Sequence, residues 1–334
     1  MPRGWTIAAM DSAGILVVRL GAMGDIIHAL PAITSLKLSF PDRRLIWALH
    51  PRWMPLLEGN PYVDQTIHFD RLSLAALRRS SSSLRSLRPA LAIDFQGLIK
   101  SALIARLSRP RVLWGFDKSI AREPLASFIY TKTVKTAGPH RVDRNLQLAQ
   151  AAGANTLTRH SWLPQGRPEG LAVAGDFVLA SPFAGWAGKQ WPLANYKHLG
   201  ELLRREGLRL VANASEQHAD VLRGLENIAV HTSSIAGLID ATRRAVAVVG
   251  VDSGPLHLAA ALEKPGVAIF GPTDPVQTGP YGETMAVVRA PGWETTYRRD
   301  GATHPSMEAV TLQEVFSTLM RVLERQAHGA GPRV

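Results

Sequence analysis

Short apolar runs alternate with amphipathic stretches along almost the whole chain. In the first half the runs are Gly14 to Leu20, Arg44 to His50, Gln65 to Phe69 and Ala90 to Gln96, and stretches of helical period such as Asp25 to Phe40 and Leu98 to Ser108 lie between or after them. Short runs of this kind suit buried parallel strands, and the amphipathic stretches suit the helices that cross between them. A helical segment from Asp143 to Ala152 leads to Gly153, after which GANTLTRHSWLPQGRPEG is rich in turn formers and reads as a linker. The alternation then resumes: DFVLASPF, LRLVANA, IAVHTS, AVAVVGVDS and GVAIFG as strands; Asn195 to Glu206, Glu216 to Leu225, Ile235 to Arg244 and Thr311 to Gln326 as helices. The expectation is an α/β protein of two domains, 1–155 and 156–334, with the last helix a candidate to pack back on the first.

Composition narrows the partners. The chain has 334 residues, 46% hydrophobic and 19% charged, which is ordinary for a folded protein of this size. No apolar run reaches the ~20 residues of a membrane helix, and MPRGWTIAAMDSAG lacks the apolar stretch of a signal peptide, so a cytoplasmic location is expected. Cysteine is absent, which removes thiolate nucleophiles and Cys-ligated metals. With 38 basic against 27 acidic residues the net charge is +11, favouring polyanionic partners: nucleic acid, an anionic membrane face or a phosphorylated substrate. No nucleic-acid-binding motif is present, so no nucleic-acid partner is expected. The eleven histidines are scattered without paired-ligand spacing, and no resident metal is expected. Neither GxGxxG nor a Walker A motif occurs.

Three loops carry candidate chemistry. In GILVVRLGAMGDIIHALPA a strand turns through glycines into a helix, the geometry of an anion site, yet the helix opens with an acid, Asp25. At a helix N-terminus Asp25 should stay ionised, and it is either a simple cap or a general base that positions an acceptor hydroxyl. In VDSGPLHLAAALEKP a strand delivers Asp252, Ser253 and Gly254 to a helix start, with His257 one turn further. These residues either cap the helix or help hold a diphosphate. In SPFAGWAGKQWP the loop lysine Lys189 is either a surface residue or a point charge for phosphate. FGPTDP says little alone. The Arg- and Leu-rich RLSLAALRRSSSSLRSLR suits either a peripheral membrane helix or a solvated one.

GAMGDIIHALPA, DFQGLIKSALIARL, AREPLASFIY, HRVDR, KQWP, VDSGPLHLAAALEKP and FGPTDP, in this order, resemble glycosyltransferase family 9, the ADP-heptose:lipopolysaccharide heptosyltransferases. The resemblance implies the GT-B fold, two Rossmann-like parallel-sheet domains facing a central cleft, the first for the acceptor and the second for the sugar nucleotide. It further implies inverting transfer of L-glycero-D-manno-heptose from ADP-heptose to Kdo of Kdo2-lipid A in lipopolysaccharide inner-core biosynthesis. The enzyme would work as a peripheral protein on the cytoplasmic face of an anionic inner membrane. No cofactor beyond the donor substrate is implied, and a divalent ion is left open.

By the same resemblance Asp25 is the base, with Lys189 neutralising the leaving diphosphate. Ala184, Gly185, Glu216, Ser233, Asp252, Ser253, Gly254 and His257 serve the donor; Gly24, Arg71, Gln96, Lys100, Arg122 and Arg144 serve the acid-bearing acceptor. The chain departs from the heptosyltransferase I branch where Ala184 and Gly185 replace hydroxyl residues, so that phosphate contact there falls to backbone N–H groups. An arginine cluster is reduced to Arg71, and the ribose-binding acid falls at Glu216 or Gln217. Alternatives are a family 9 transferase with another heptose or core acceptor, and a binding protein without catalysis.

Overall fold

The structure, a computed structural model, describes residues 14–69, 84–170, 175–299 and 301–328. Two compact units, Met1–Trp162 and Leu163–Val334, divide the chain. The division falls later than the expected boundary at 155 because the start of the turn-rich stretch is tied down. The backbone N–H groups of Asn155 and Thr156 donate to Ser39 Oγ at 3.0 and 2.9 Å, and that of Thr158 donates to Ser35 Oγ at 3.0 Å.

The first unit runs β1 (Ile15–Val18), α1 (Met23–Ile27), α2 (Leu30–Ser39), β2 (Leu45–Leu49), β3 (Gln65–His68), β4 (Leu91–Asp94), α3 (Ile99–Leu107), β5 (Val112–Phe116), β6 (Lys132–Val134) and α4 (Arg141–Ala151). All pairings are parallel and the strand order is β3-β2-β1-β4-β5-β6. The single helix expected over Asp25 to Phe40 is two. Pro31 in the first turn of α2 has no N–H to continue the ladder from α1, and the chain breaks at His28–Ala29. The turn between β1 and α1 requires glycine at position 21. Its φ of +155° is rare for other residues, and a Cβ there would stand 2.6 Å from the Trp53 indole nitrogen.

The second unit holds β7 (Phe177–Ser181), α5 (Leu193–Arg205), β8 (Arg209–Asn213), α6 (Glu216–Arg223), β9 (Ile228–His231), α7 (Ile235–Arg244), β10 (Ala247–Val251), α8 (Gly254–Ala261), β11 (Gly266–Phe270), α9 (Pro275–Thr278), β12 (Met285–Arg289), α10 (Pro305–Glu308) and α11 (Leu312–Ala327). Its parallel sheet has the order β12-β11-β10-β7-β8-β9. Each sheet therefore reverses direction between its first and fourth strands, at β1/β4 and at β7/β10. Open α/β sheets leave a crevice at that point, beyond the carboxyl ends of the strands.

Each unit has its own apolar core, built on β1, β2 and β4 in the first and on β7, β8, β10 and β11 in the second. The closing helix α11 packs on β11, β12 and α5. Thr311 Oγ1 accepts from Glu314 N, and Glu314 Oε2 accepts from Thr311 N, which fixes the helix start. Val315 and Leu319 are its fully buried anchors. Leu319→Ala is expected to lower stability by about 2–5 kcal/mol through the lost burial and the cavity it leaves, measured by urea unfolding. A loss under about 1 kcal/mol would mean that α11 is not part of the second core.

Candidate active site

Asp25 does not cap α1 as its N-cap; it is the third residue of the helix, and its carboxylate reaches back to accept from Ala22 N at 3.3 Å. Three guanidiniums converge on it. Arg19, at the end of β1, places Nη2 2.6 Å from Oδ1; Arg141, the first residue of α4, places Nη1 3.0 Å from Oδ1; Arg122 places Nη1 3.3 Å from Oδ2. Burial pushes the Asp25 carboxyl upward, but Arg19, Arg141 and Arg122 together hold it well below the usual carboxylate range. The anion expected at a helix start is thus the protein's own.

The local sequence explains how the cations arrive. Arg19 is buried, its Nη1 donating to the carbonyl of Phe95 in the loop after β4, so it spans the sheet's reversal point. Arg141 and Asn145 lie one turn apart on the same face of α4, and Asn145 Nδ2 donates to the His28 carbonyl at 2.9 Å, setting that face against the end of α1. Arg122 comes close because Gly97, at φ +69°, lets the loop after β4 pass the backbone N of Arg122, which an added Cβ would meet at 3.1 Å. Beneath this loop Asp94 is fully buried. Burial raises its carboxyl, while the Tyr130 and Ser101 hydroxyls, each donating at 2.7 Å, and the N–H of Gln96 at 2.8 Å oppose that rise. Asp94 fixes the loop and is sealed from solvent.

Among the other acceptor candidates, Gln96 Oε1 accepts from Leu20 N at 2.7 Å and links the ends of β1 and β4. Gly24 is buried inside α1 and Lys100 is exposed in the first turn of α3. Arg144 Nε donates to the Gly138 carbonyl at 3.0 Å, away from Asp25. Arg71 lies outside the described residues.

In the second unit the site again follows the first and fourth strands. Asp252, just past β10, accepts from Lys189 Nζ at 3.1 Å and from Thr273 Oγ1 at 2.8 Å, both on Oδ2, while His257 Nε2 stands 3.4 Å from Oδ1. Burial pushes this carboxyl up, but His257, Lys189 and Thr273 carry it well below the usual range. Ser253 makes no side-chain capping bond. Its Oγ is buried without a hydrogen-bond partner at the start of α8, next to the free amides of that helix. Lys189 is held over the Trp186 ring, 5.8 Å from its centroid, and its loop is pinned by buried Trp191, whose indole N–H donates to the Val310 carbonyl at 2.9 Å.

The remaining donor candidates are spread more widely. Ala184 packs against the second core and Gly185 is exposed with open space where a Cβ would be. Glu216 is exposed at the start of α6, and Ser233 Oγ pairs with His231 Nε2 at 2.9 Å. Sequence reasoning missed Arg19 and Arg141 beside Asp25, and Trp186 and Thr273 beside Lys189 and Asp252. The HRVDR and FGPTDP stretches were the available signals. Among the described residues no group of three His, Asp or Glu side chains is arranged to hold a metal ion.

Residues 77–306 match the model of glycosyltransferase family 9 (heptosyltransferase). The chain is 33% identical over 291 residues to lipopolysaccharide heptosyltransferase 1 of Pseudomonas aeruginosa, covering 81% of this chain and 82% of that protein. It is 28% identical over 350 residues to lipopolysaccharide heptosyltransferase 2 of Salmonella typhimurium, covering 93% and 99%. The structures of E. coli heptosyltransferase WaaC with ADP and with ADP-2-deoxy-2-fluoro heptose superpose with TM-scores of 0.73 and 0.72 at 26% identity, covering 92% and 93% of this chain and 99% of each of theirs. Together with two parallel sheets that each present an ionised, cation-bound carboxylate at their reversal point, these similarities establish that the chain belongs to glycosyltransferase family 9, the heptosyltransferases.

Proposed function

We propose that this heptosyltransferase moves L-glycero-D-manno-heptose from ADP-heptose to the first Kdo of Kdo2-lipid A, inverting the anomeric centre, as a peripheral protein on the cytoplasmic face of the inner membrane. The observation that carries the reading is the convergence of Arg19, Arg122 and Arg141 on Asp25. An acceptor bearing carboxylates and phosphates needs such cations, and its attacking hydroxyl needs a base. The similarity to lipopolysaccharide heptosyltransferase 1 supports this acceptor. The similarity to lipopolysaccharide heptosyltransferase 2 favours, as a second reading, another acceptor of the lipopolysaccharide core.

A carboxylate gripped by three guanidiniums is a weak base, so the acceptor must change its surroundings. The Arg122 and Arg141 side chains are 47% and 33% exposed, whereas Arg19 is 6% exposed. Acid groups of the acceptor would draw the two accessible arginines, leaving Asp25 with Arg19 alone. Its proton affinity then rises as the hydroxyl arrives. On the donor side, charge building on the departing ADP is met by Lys189 and by the Ser253 hydroxyl and amides at the start of α8. The diphosphate competes with Asp252 for Lys189, and Thr273 and His257 keep Asp252 supplied as the lysine turns away.

With ADP-heptose and Kdo2-lipid A, the wild-type protein is expected to release ADP and yield a product heavier by one heptose. Asp25→Asn should cut kcat by roughly two or more orders of magnitude, as loss of a general base does, with donor binding little changed. Wild-type turnover by Asp25→Asn would exclude the base role, and transfer only to another core acceptor would favour the second reading.

Removing the Asp25 charge also leaves Arg19 buried and unpaired, a loss of about 3–5 kcal/mol for a broken buried pair. Because the folded carboxyl is held below its unfolded value of about 3.9, the charge stabilises the protein above that pH and the benefit fades as pH falls further. The stability gap between wild type and Asp25→Asn should therefore be widest near neutrality and narrow below pH ~4, read by urea unfolding across pH. A gap constant with pH would show that Asp25 is not the cluster's counter-charge.

A further inference from the structure

We infer that the 3-10 turn Pro124–Phe128, with the outer face of α3, seats the protein on an anionic lipid bilayer. The inference rests on the reading that the acceptor is a membrane-held glycolipid. Phe128 and Leu125 are the most exposed large apolar side chains among the described residues, at 77% and 63%. A 3-10 helix has three residues per turn, so positions 125 and 128 lie one above the other on one side. The other side is committed: Ala126 is fully buried and Ile129 packs against the first core. Rotation cannot hide the pair.

The turn is also fixed at its base. Glu123 N donates to the Gly97 carbonyl at 2.9 Å, and Glu123 Oε2 accepts from Ile99 N at 2.7 Å, tying the turn to the start of α3. The α3 helix packs against it. Lys100, Leu103 and Arg106 follow one another at a spacing of three along the exposed side of α3, and Leu103 is 49% exposed. Neither IKSALIARL nor PLASF contains an acid; of the two acids in the chain between them, Asp117 accepts from the N–H and hydroxyl of Ser119 at 2.9 and 2.8 Å and Glu123 is engaged with backbone.

Protruding Leu and Phe flanked by Lys and Arg match the acyl boundary and the anionic headgroups of a bilayer, which takes up both kinds of side chain at once. Arg122, which pairs with Asp25, lies two residues before this turn in the chain, with Glu123 between them. Protein seated through this turn would meet a sugar acceptor that projects from the same lipid surface. The 71–88 stretch named above for this role lies mostly outside the described residues, and Leu84 within it is a fully buried core residue.

The test is co-sedimentation of the full chain with vesicles of phosphatidylethanolamine alone or mixed with phosphatidylglycerol. Wild type should pellet with the mixed vesicles. The exposed double variant Leu125→Ser/Phe128→Ser should bind at least about tenfold more weakly, the scale of losing two buried apolar side chains, and Arg106→Glu should weaken binding in a salt-dependent way. The double variant should retain wild-type transfer to a deacylated, water-soluble acceptor without vesicles, and lose rate on the acylated acceptor in vesicles. Undiminished vesicle binding by the double variant overturns the inference. So does self-association of wild type that this variant abolishes while vesicle binding persists, which would make a second copy the occupant. Absence of transfer to any soluble acceptor by wild type would instead defeat the functional reading and leave the vesicle result to decide this one.

Discussion

A carboxylate taken out of water must be met by cations or donors, or it takes up a proton. Both domains place such a carboxylate where their sheets reverse direction, and both keep it ionised: Asp25 through Arg19, Arg122 and Arg141, and Asp252 through Lys189, Thr273 and His257. Much of the surrounding structure serves these two groups. Trp191 pins the lysine loop, Asn145 sets the face of α4, and Asp94 holds the loop whose Phe95 carbonyl takes Arg19. Each cation is therefore positioned before any ligand arrives, and an anionic ligand would take over a cation from its carboxylate without first ordering the side chain.

The alternation of apolar runs and amphipathic stretches made the two parallel sheets legible, since buried parallel strands need continuous apolar runs and their crossovers need helices. What escaped were β5, β6 and β12. The β6 and β12 strands lie on sheet edges and are only partly buried, so residues such as Lys132 and Arg289 break the apolar signal. In β5, VLWGF, the glycine beneath the Tyr130 ring interrupts the run; a Cβ at Gly115 would sit 2.2 Å from that ring. Pro31 ought to have divided α1 from α2, and the rule that proline ends a helix was readable in the chain.

The site was legible in part, for a consistent reason. Asp25, Lys189 and Asp252 sit in loops with turn residues around them, where sequence points to them directly. Arg19 hides at the end of an apolar run, where a charged residue looks like a strand terminus. Its role depends on β4 lying beside β1, a pairing of residues far apart in the chain. Arg141 against Arg144 was a choice of helix face, settled by the contact between Asn145 and His28 and not by any property of the two arginines.

The two clusters differ in charge balance, and the difference bears on what each can hold. Around Asp25 three guanidiniums meet one carboxylate, an excess of positive charge that suits a partner carrying several acid groups. Around Asp252 one lysine meets one carboxylate, so the pair carries no excess, and attraction for an anion must come from the buried Ser253 hydroxyl and the dipole and amides at the start of α8. Such a site would fit a group whose negative charge grows during the proposed reaction, since Lys189 would pass to it only as that charge outcompetes Asp252. On the proposed function, the first cluster would meet the standing charge of an acceptor and the second the developing charge of a leaving group.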